Sequence, residues 1–80
     1  MNDTVNRPSH YTEDRTVEVI DYIREQTGAG FVDYCVGNAL KYLSRAGLKG
    51  DTAEDYAKAA WYCRMAAHVQ DPTRFPDPRT

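Results

Sequence analysis

Phe31-Val32-Asp33-Tyr34-Cys35-Val36-Gly37-Asn38-Ala39-Leu40-Lys41-Tyr42-Leu43-Ser44-Arg45-Ala46, followed by Gly47, is the stretch that decides the fold. Phe31, Tyr34, Cys35, Ala39, Tyr42, Leu43 and Ala46 recur at i, i+3, i+4 and i+7, the period of a helix with one packing face. Gly47 suits the positive-φ conformation that stops a helix, so the spacing predicts a helix over about 31–46. Leu48-Lys49-Gly50 is then a short loop. Asp51-Thr52-Ala53-Glu54 is a start signal, an Asp N-cap with a carboxylate three residues on. It opens a third helix over about 52–69, in which Ala57, Ala60, Trp61, Cys63, Met65 and Ala67 are available for packing.

Upstream, Thr16 reads as the N-cap of a first helix reaching about Gln26, with Val17, Ile20 and Ile23 at near-helical spacing. Thr27-Gly28-Ala29-Gly30 ends it, Gly28 being free to take the cap conformation. Residues 1–15 are polar, and Pro8 keeps Arg7 out of the α region, so an extended arm is expected there. Residues 71–80 hold three of the four prolines and no helical period. They predict a tail that is disordered or laid across a neighbour, with Phe75 seeking an apolar pocket. The expectation is an all-α fold of three helices over residues 1–70, with an irregular N-terminal arm and a C-terminal tail.

Eighty residues make one small domain, whose helical core alone would supply on the order of 3–5 kcal/mol, so completion by homo-oligomerisation is expected. The formal charge is -2, from 10 Lys plus Arg against 12 Asp plus Glu, which argues against binding duplex nucleic acid or an anionic membrane. No stretch approaches the ~20 apolar residues of a membrane span, and the first 15 residues lack a signal peptide's apolar core. The expected location is cytoplasmic. Cys35 and Cys63 lack CxxC spacing and read as small buried residues rather than a metal site or disulfide.

Charge is unevenly placed. From residue 37 to 50 the chain carries Lys41, Arg45 and Lys49 and no acid, a local +3 in a protein that is -2 overall. Asn38, Lys41 and Arg45 are spaced i, i+3, i+7 along one helix edge, with Lys49 just beyond. Arg offers a planar fork and Lys a point charge to phosphate oxygens, and Asn38 an amide for a base or sugar edge. In the third helix Asp55, Lys58, Trp61 and Tyr62 form a second line, and rings beside cations suit a nucleobase and its phosphates. The same residues also admit a plainer reading. Cations complement a helix C-terminus, and Trp61 and Tyr62 serve as core residues with a polar tip. His10 in the arm is a third candidate beside ordinary solvation, and His68 reads as solvent-facing with no role.

Enzyme signatures are missing. There is no GxxxxGK[ST] loop, no GxGxxG, no HExxH and no nucleophile elbow. The acids Asp21, Glu25, Asp33, Glu54 and Asp55 are scattered, and only Asp55, beside Lys58, falls near the basic segment.

Pro8-Ser9-His10-Tyr11, Glu18-Val19-Ile20-Asp21, the block from Gly37 to Lys49, and Asp55-Tyr56-Ala57-Lys58-Ala59-Ala60-Trp61-Tyr62 together resemble a small family of tailed-bacteriophage proteins, a domain of unknown function. The resemblance covers roughly residues 6–65. Members resemble a domain of a phage nucleotide kinase. The resemblance implies a ligand site of His10, Tyr11, Asn38, Lys41, Tyr42, Arg45, Lys49, Lys58 and Tyr62. Thr12 departs from it, since a lysine often follows His-Tyr in relatives, and this weakens a phosphate role at that corner. The expected function is capture of a phosphorylated nucleotide, linear or cyclic, sequestering a host immune signal in the infected bacterium without turnover. No cofactor is then needed. The alternatives are a nucleoside monophosphate kinase with a site between subunits, which would use Mg2+, and a module that binds a host protein.

Overall fold

Thr27 and Gly28 end the first helix as their chemistry suggests. The Thr27 hydroxyl donates to the Ile23 carbonyl at 2.7 Å, and Gly28 follows at φ 55° with its N–H returned to the Arg24 carbonyl. In the computed structural model, which describes residues 18–80, this helix is α1, Val19–Thr27. A single 3-10 turn, Gly28–Gly30, leads into α2, Phe31–Arg45, and a short loop leads into α3, Thr52–Gln70. The described residues contain no strand. Asp51 caps α3 as its sequence predicts, its carboxylate accepting from the Glu54 N–H at 3.1 Å. At the other end of the loop Gly47 takes φ 84°.

α2 and α3 are an antiparallel hairpin about 22 and 28 Å long at 1.5 Å per residue. Arg45 meets Asp55, Tyr42 meets Tyr62, and Phe31 and Cys35 meet Met65, so numbers rise along one helix as they fall along the other. The core lies at the end remote from the loop, where Phe31, Cys35 and Met65 are fully buried and Ile20 and Ile23 of α1 pack on them. Burial pushes the Cys35 thiol above its usual range, partly offset by Arg24. Ala39 and Ala59 let the helices approach closely along the middle. On another side of α2, Val36, Leu40 and Leu43 leave an apolar stripe in solvent, 47%, 60% and 48% exposed.

Four expectations are corrected. α1 begins at Val19, not after Thr16, because Glu18 has extended backbone at φ -74°, ψ 151°; Thr16 and Val17 lie outside the described residues. Ala57, Ala60 and Cys63 are exposed, and α3 instead buries Asp55, Ala59 and Met65. Alanine is spread round this helix, so the line of contact with α2 chooses the face. His68 has a role, its Nδ1 lying 3.0 Å from the Phe75 carbonyl oxygen. The tail is ordered and tied to its own chain. It folds back through turns at Asp71 and Asp77, and between Arg64 and Ala67 of α3 and its own Phe75 and Pro76 it leaves a cleft. Arg79 then ties it to α1, reaching Asp21 at 2.9 Å and Glu18 at 3.2 Å while pairing with Asp77 at 2.7 Å.

Candidate functional site

Between the buried core and the loop, the hairpin interface changes from aliphatic to aromatic. Phe31 stacks on Tyr34 at 5.7 Å between ring centroids, Tyr34 meets Tyr62 edge-on at 6.2 Å, and Tyr62 stacks on Tyr42 at 6.1 Å. Trp61 adds an edge contact to Tyr62 at 5.1 Å. The ladder thus carries the core's packing outward to the half-buried ring of Tyr42. Burial, and then the neighbouring Tyr34 phenol, push the Tyr62 phenol up to about 12, so it stays protonated at neutral pH.

Cations gather where the ladder ends. Lys41 Nζ lies 4.5 Å and Lys58 Nζ 5.4 Å from the Tyr42 ring centroid, one lysine from each helix. Such contacts stabilise by about 0.5–1 kcal/mol at exposed sites, enough to bias the ammonium groups toward the ring while leaving their N–H donors in water. Lys58 also lies 3.7 Å from Glu54, both partners largely exposed. One turn further on, Arg45 presents Nε to Asp55 Oδ1 at 3.4 Å. One of the three cations of residues 37–50, Arg45, is therefore met in space by an acid from α3, a pairing that the second helix's own sequence does not contain.

Of the expected site residues, Lys41, Tyr42, Arg45, Lys58 and Tyr62 lie together around the loop end of the hairpin. Asn38 is on the same edge, and one N–H of its Nδ2 donates to the Tyr34 carbonyl one turn back at 3.0 Å. Lys49 is exposed in the loop. His10 and Tyr11 fall outside the described residues. Tyr34 was missed as part of the aromatic ladder. Its position four residues before Asn38 puts it on the edge that carries Asn38, Lys41 and Arg45, and that spacing was the available signal. Gly50 was missed as well, and only space reveals it. At φ 75°, its missing Cβ would stand 3.4 Å from Arg45 Nη2.

Chemically, the arrangement offers a ring face, two mobile ammonium groups and a guanidinium within a few residues of each other, a set suited to an anion attached to a flat group. Among the described residues no group of three His, Cys, Asp or Glu side chains could hold a metal ion. Asp55 and Glu54, the acids nearest the ring, each face a cation instead. No helix of the described residues is long and apolar enough to cross a membrane.

Residues 5–64 match a family described as a protein of unknown function, DUF3310. Over 62 residues the chain is 45% identical to the protein called "Gene 1.7 protein" of Enterobacteria phage T3, covering 72% of this chain and 38% of that one. Over 71 residues it is 45% identical to "Nucleotide kinase gp1.7" of Escherichia phage T7, covering 84% of this chain and 36% of that one. The chain therefore spans little more than a third of the length of these curated relatives. No solved structure matches it.

Proposed function

The chain belongs to the DUF3310 family, and from that membership and the site's geometry we propose that it is a phage nucleotide-binding protein. The observation that carries the reading is the pair of lysines over the Tyr42 ring beside Arg45, at the end of a ladder of stacked rings. A nucleotide has the matching parts, a flat base for a ring face and phosphates for the cations. The name of the phage T7 relative supports a nucleotide as the ligand class. We read the activity as capture without turnover, of a linear or cyclic nucleotide such as a host immune signal, since removing a signal needs only stoichiometric binding. A second copy of the chain would cover the apolar stripe of Val36, Leu40 and Leu43, which suits the small size of the core.

The phage T7 relative's name also favours a second reading, phosphoryl transfer to a nucleoside monophosphate. There Lys41, Lys58 and Arg45 would hold phosphate oxygens. Mg2+ would be brought by the triphosphate, because the acids near the ring already face cations and offer it no place of their own.

The test is a thermal-shift screen of the purified protein against mononucleotides, triphosphates with Mg2+, and cyclic nucleotides, each hit being recovered and analysed. A bound nucleotide should stabilise the fold by about 2.7 kcal/mol at a hundredfold excess over its Kd and come back unchanged. Recovery of a phosphorylated product selects the kinase reading. No shift with any nucleotide overturns both.

A further inference from the structure

The ion pair between Arg45 and Asp55 is unequal. The Asp55 side chain is 5% exposed and the Arg45 side chain 45%. Arg45 Nε approaches Asp55 Oδ1 at 3.4 Å, an ion-pair contact, while Oδ2 is buried with no hydrogen-bond partner among the described residues. An arginine paired for stability would turn side-on and give each carboxylate oxygen its own N–H. Here the guanidinium leaves one oxygen unanswered, and its Nη2 lies beside Gly50 in the loop, 3.4 Å from where a Cβ would stand. The terminal nitrogens of Arg45 have no hydrogen-bond partner among the described residues.

Resting on the nucleotide reading of this site, we propose that Asp55 is a positioning residue, holding Arg45 by Nε so that its two terminal nitrogens form an outward fork for two oxygens of one phosphoryl group. Lys41 and Lys58 supply charge nearby, but as point charges on flexible stems; Arg45 supplies the geometry. The buried carboxylate stays where it is because it lies in the first turn of α3, where the helix favours negative charge. The orphaned Oδ2 is the cost of aiming the guanidinium outward.

The proposal fixes a sign that electrostatics alone reverses. Asp55 is a negative charge close to the place an anion would occupy, so if it only stabilised the fold, removing its charge would tighten anion binding. If it aims Arg45, removing it loosens binding. Inorganic pyrophosphate is the probe, titrated by calorimetry into wild type, Asp55→Asn, Arg45→Lys, Arg45→Ala and the Arg45→Ala/Asp55→Asn double variant, each first checked for helicity. Asp55→Asn should weaken binding roughly tenfold, the scale of one charge-assisted hydrogen bond. Arg45→Lys, which keeps the charge and loses the fork, should weaken it similarly, and Asp55→Asn made on the Arg45→Ala background should weaken it no further. Equal or tighter binding by folded Asp55→Asn, or further weakening on the Arg45→Ala background, overturns the proposal while leaving the nucleotide reading intact. Should Asp55→Asn not fold, Arg45→Lys decides, and unchanged affinity there overturns it. Wild type that binds neither pyrophosphate nor any nucleotide overturns the proposal together with the reading beneath it.

Discussion

Arg45 and Arg79 sit in different regions of this small protein and are used in opposite ways. Arg79 is saturated: its guanidinium meets Asp77 through two nitrogens, reaches Glu18 and Asp21 with the third, and is 28% exposed. Arg45 has one ion pair, at 3.4 Å through Nε, and its partner's second oxygen has no hydrogen bond among the described residues. A cation whose three nitrogens are all engaged by its own chain serves the fold. A cation held by one edge beside stacked rings and two lysines keeps donors for something else. The difference separates the part of the sequence that closes the structure from the part proposed to hold a ligand, although both consist of arginines paired with aspartates.

Arg45→Ala breaks the comparison hardest. It leaves the Asp55 carboxylate buried without a counter-ion, a change that costs ~3–5 kcal/mol when the pair is fully buried. Half of Arg45 lies in water, so the loss expected from denaturant unfolding is at the low end, about 3 kcal/mol. Adding Asp55→Asn should restore much of it by removing the stranded charge. A single variant as stable as wild type would mean that Asp55 is not held as described.

Lys41→Ala comes next, and its effect falls on binding instead of folding. The ammonium is exposed over Tyr42, so stability should change by less than ~0.5 kcal/mol. Nucleotide affinity should fall by ~1.5–3 kcal/mol, the range for a hydrogen bond to a charged group, measured by calorimetry with whichever nucleotide scores in the thermal screen. Unchanged affinity would remove Lys41 from the site and leave the Tyr42 ring without its nearest cation.

These effects show which parts of the molecule local sequence encodes. The hairpin was legible because its signals are local: the 31–35–39 face, Gly47 after α2, the Asp51 cap. So was the gathering of Lys41, Arg45, Lys58 and Tyr62, which follows from helical spacing once two helices face each other. The buried face of α3 was not, because alanine at 53, 57, 59, 60, 66 and 67 gives that helix no apolar side of its own. It buries an aspartate because α2 puts Arg45 opposite. The tail was misread for a related reason. Its prolines do exclude regular structure, but its position depends on Arg79 meeting residues 58 and 61 places earlier in the chain, and no local pattern records such a contact.

Arg79→Ala carries the smallest of the three principal effects, and its pH dependence makes it the sharpest check on the Arg79 half of the comparison. The ion pairs lie near the surface, where each contributes ~0.2–1 kcal/mol, so we expect a loss of about 1 kcal/mol at neutral pH. Hydrogen bonds from the Arg79 side chain and backbone hold the Asp77 carboxyl down at about 2, below its ordinary value near 3.9. A carboxylate with a depressed folded-state value stabilises the fold above the unfolded value, and that contribution disappears as the pH falls toward the folded one. The stability difference between wild type and Arg79→Ala that Asp77 contributes should therefore be constant above about pH 5 and shrink as the pH falls toward and through about 2, the carboxylates that Arg79 does not touch cancelling in the difference. Because α1 buries no residue of its own, protection against hydrogen exchange in Val19–Thr27, taken relative to the intrinsic rate at each pH, should fall over the same interval in wild type and be low throughout in the variant. A difference that persists unchanged at pH 2 would show that Arg79 holds the tail by packing rather than by its charge.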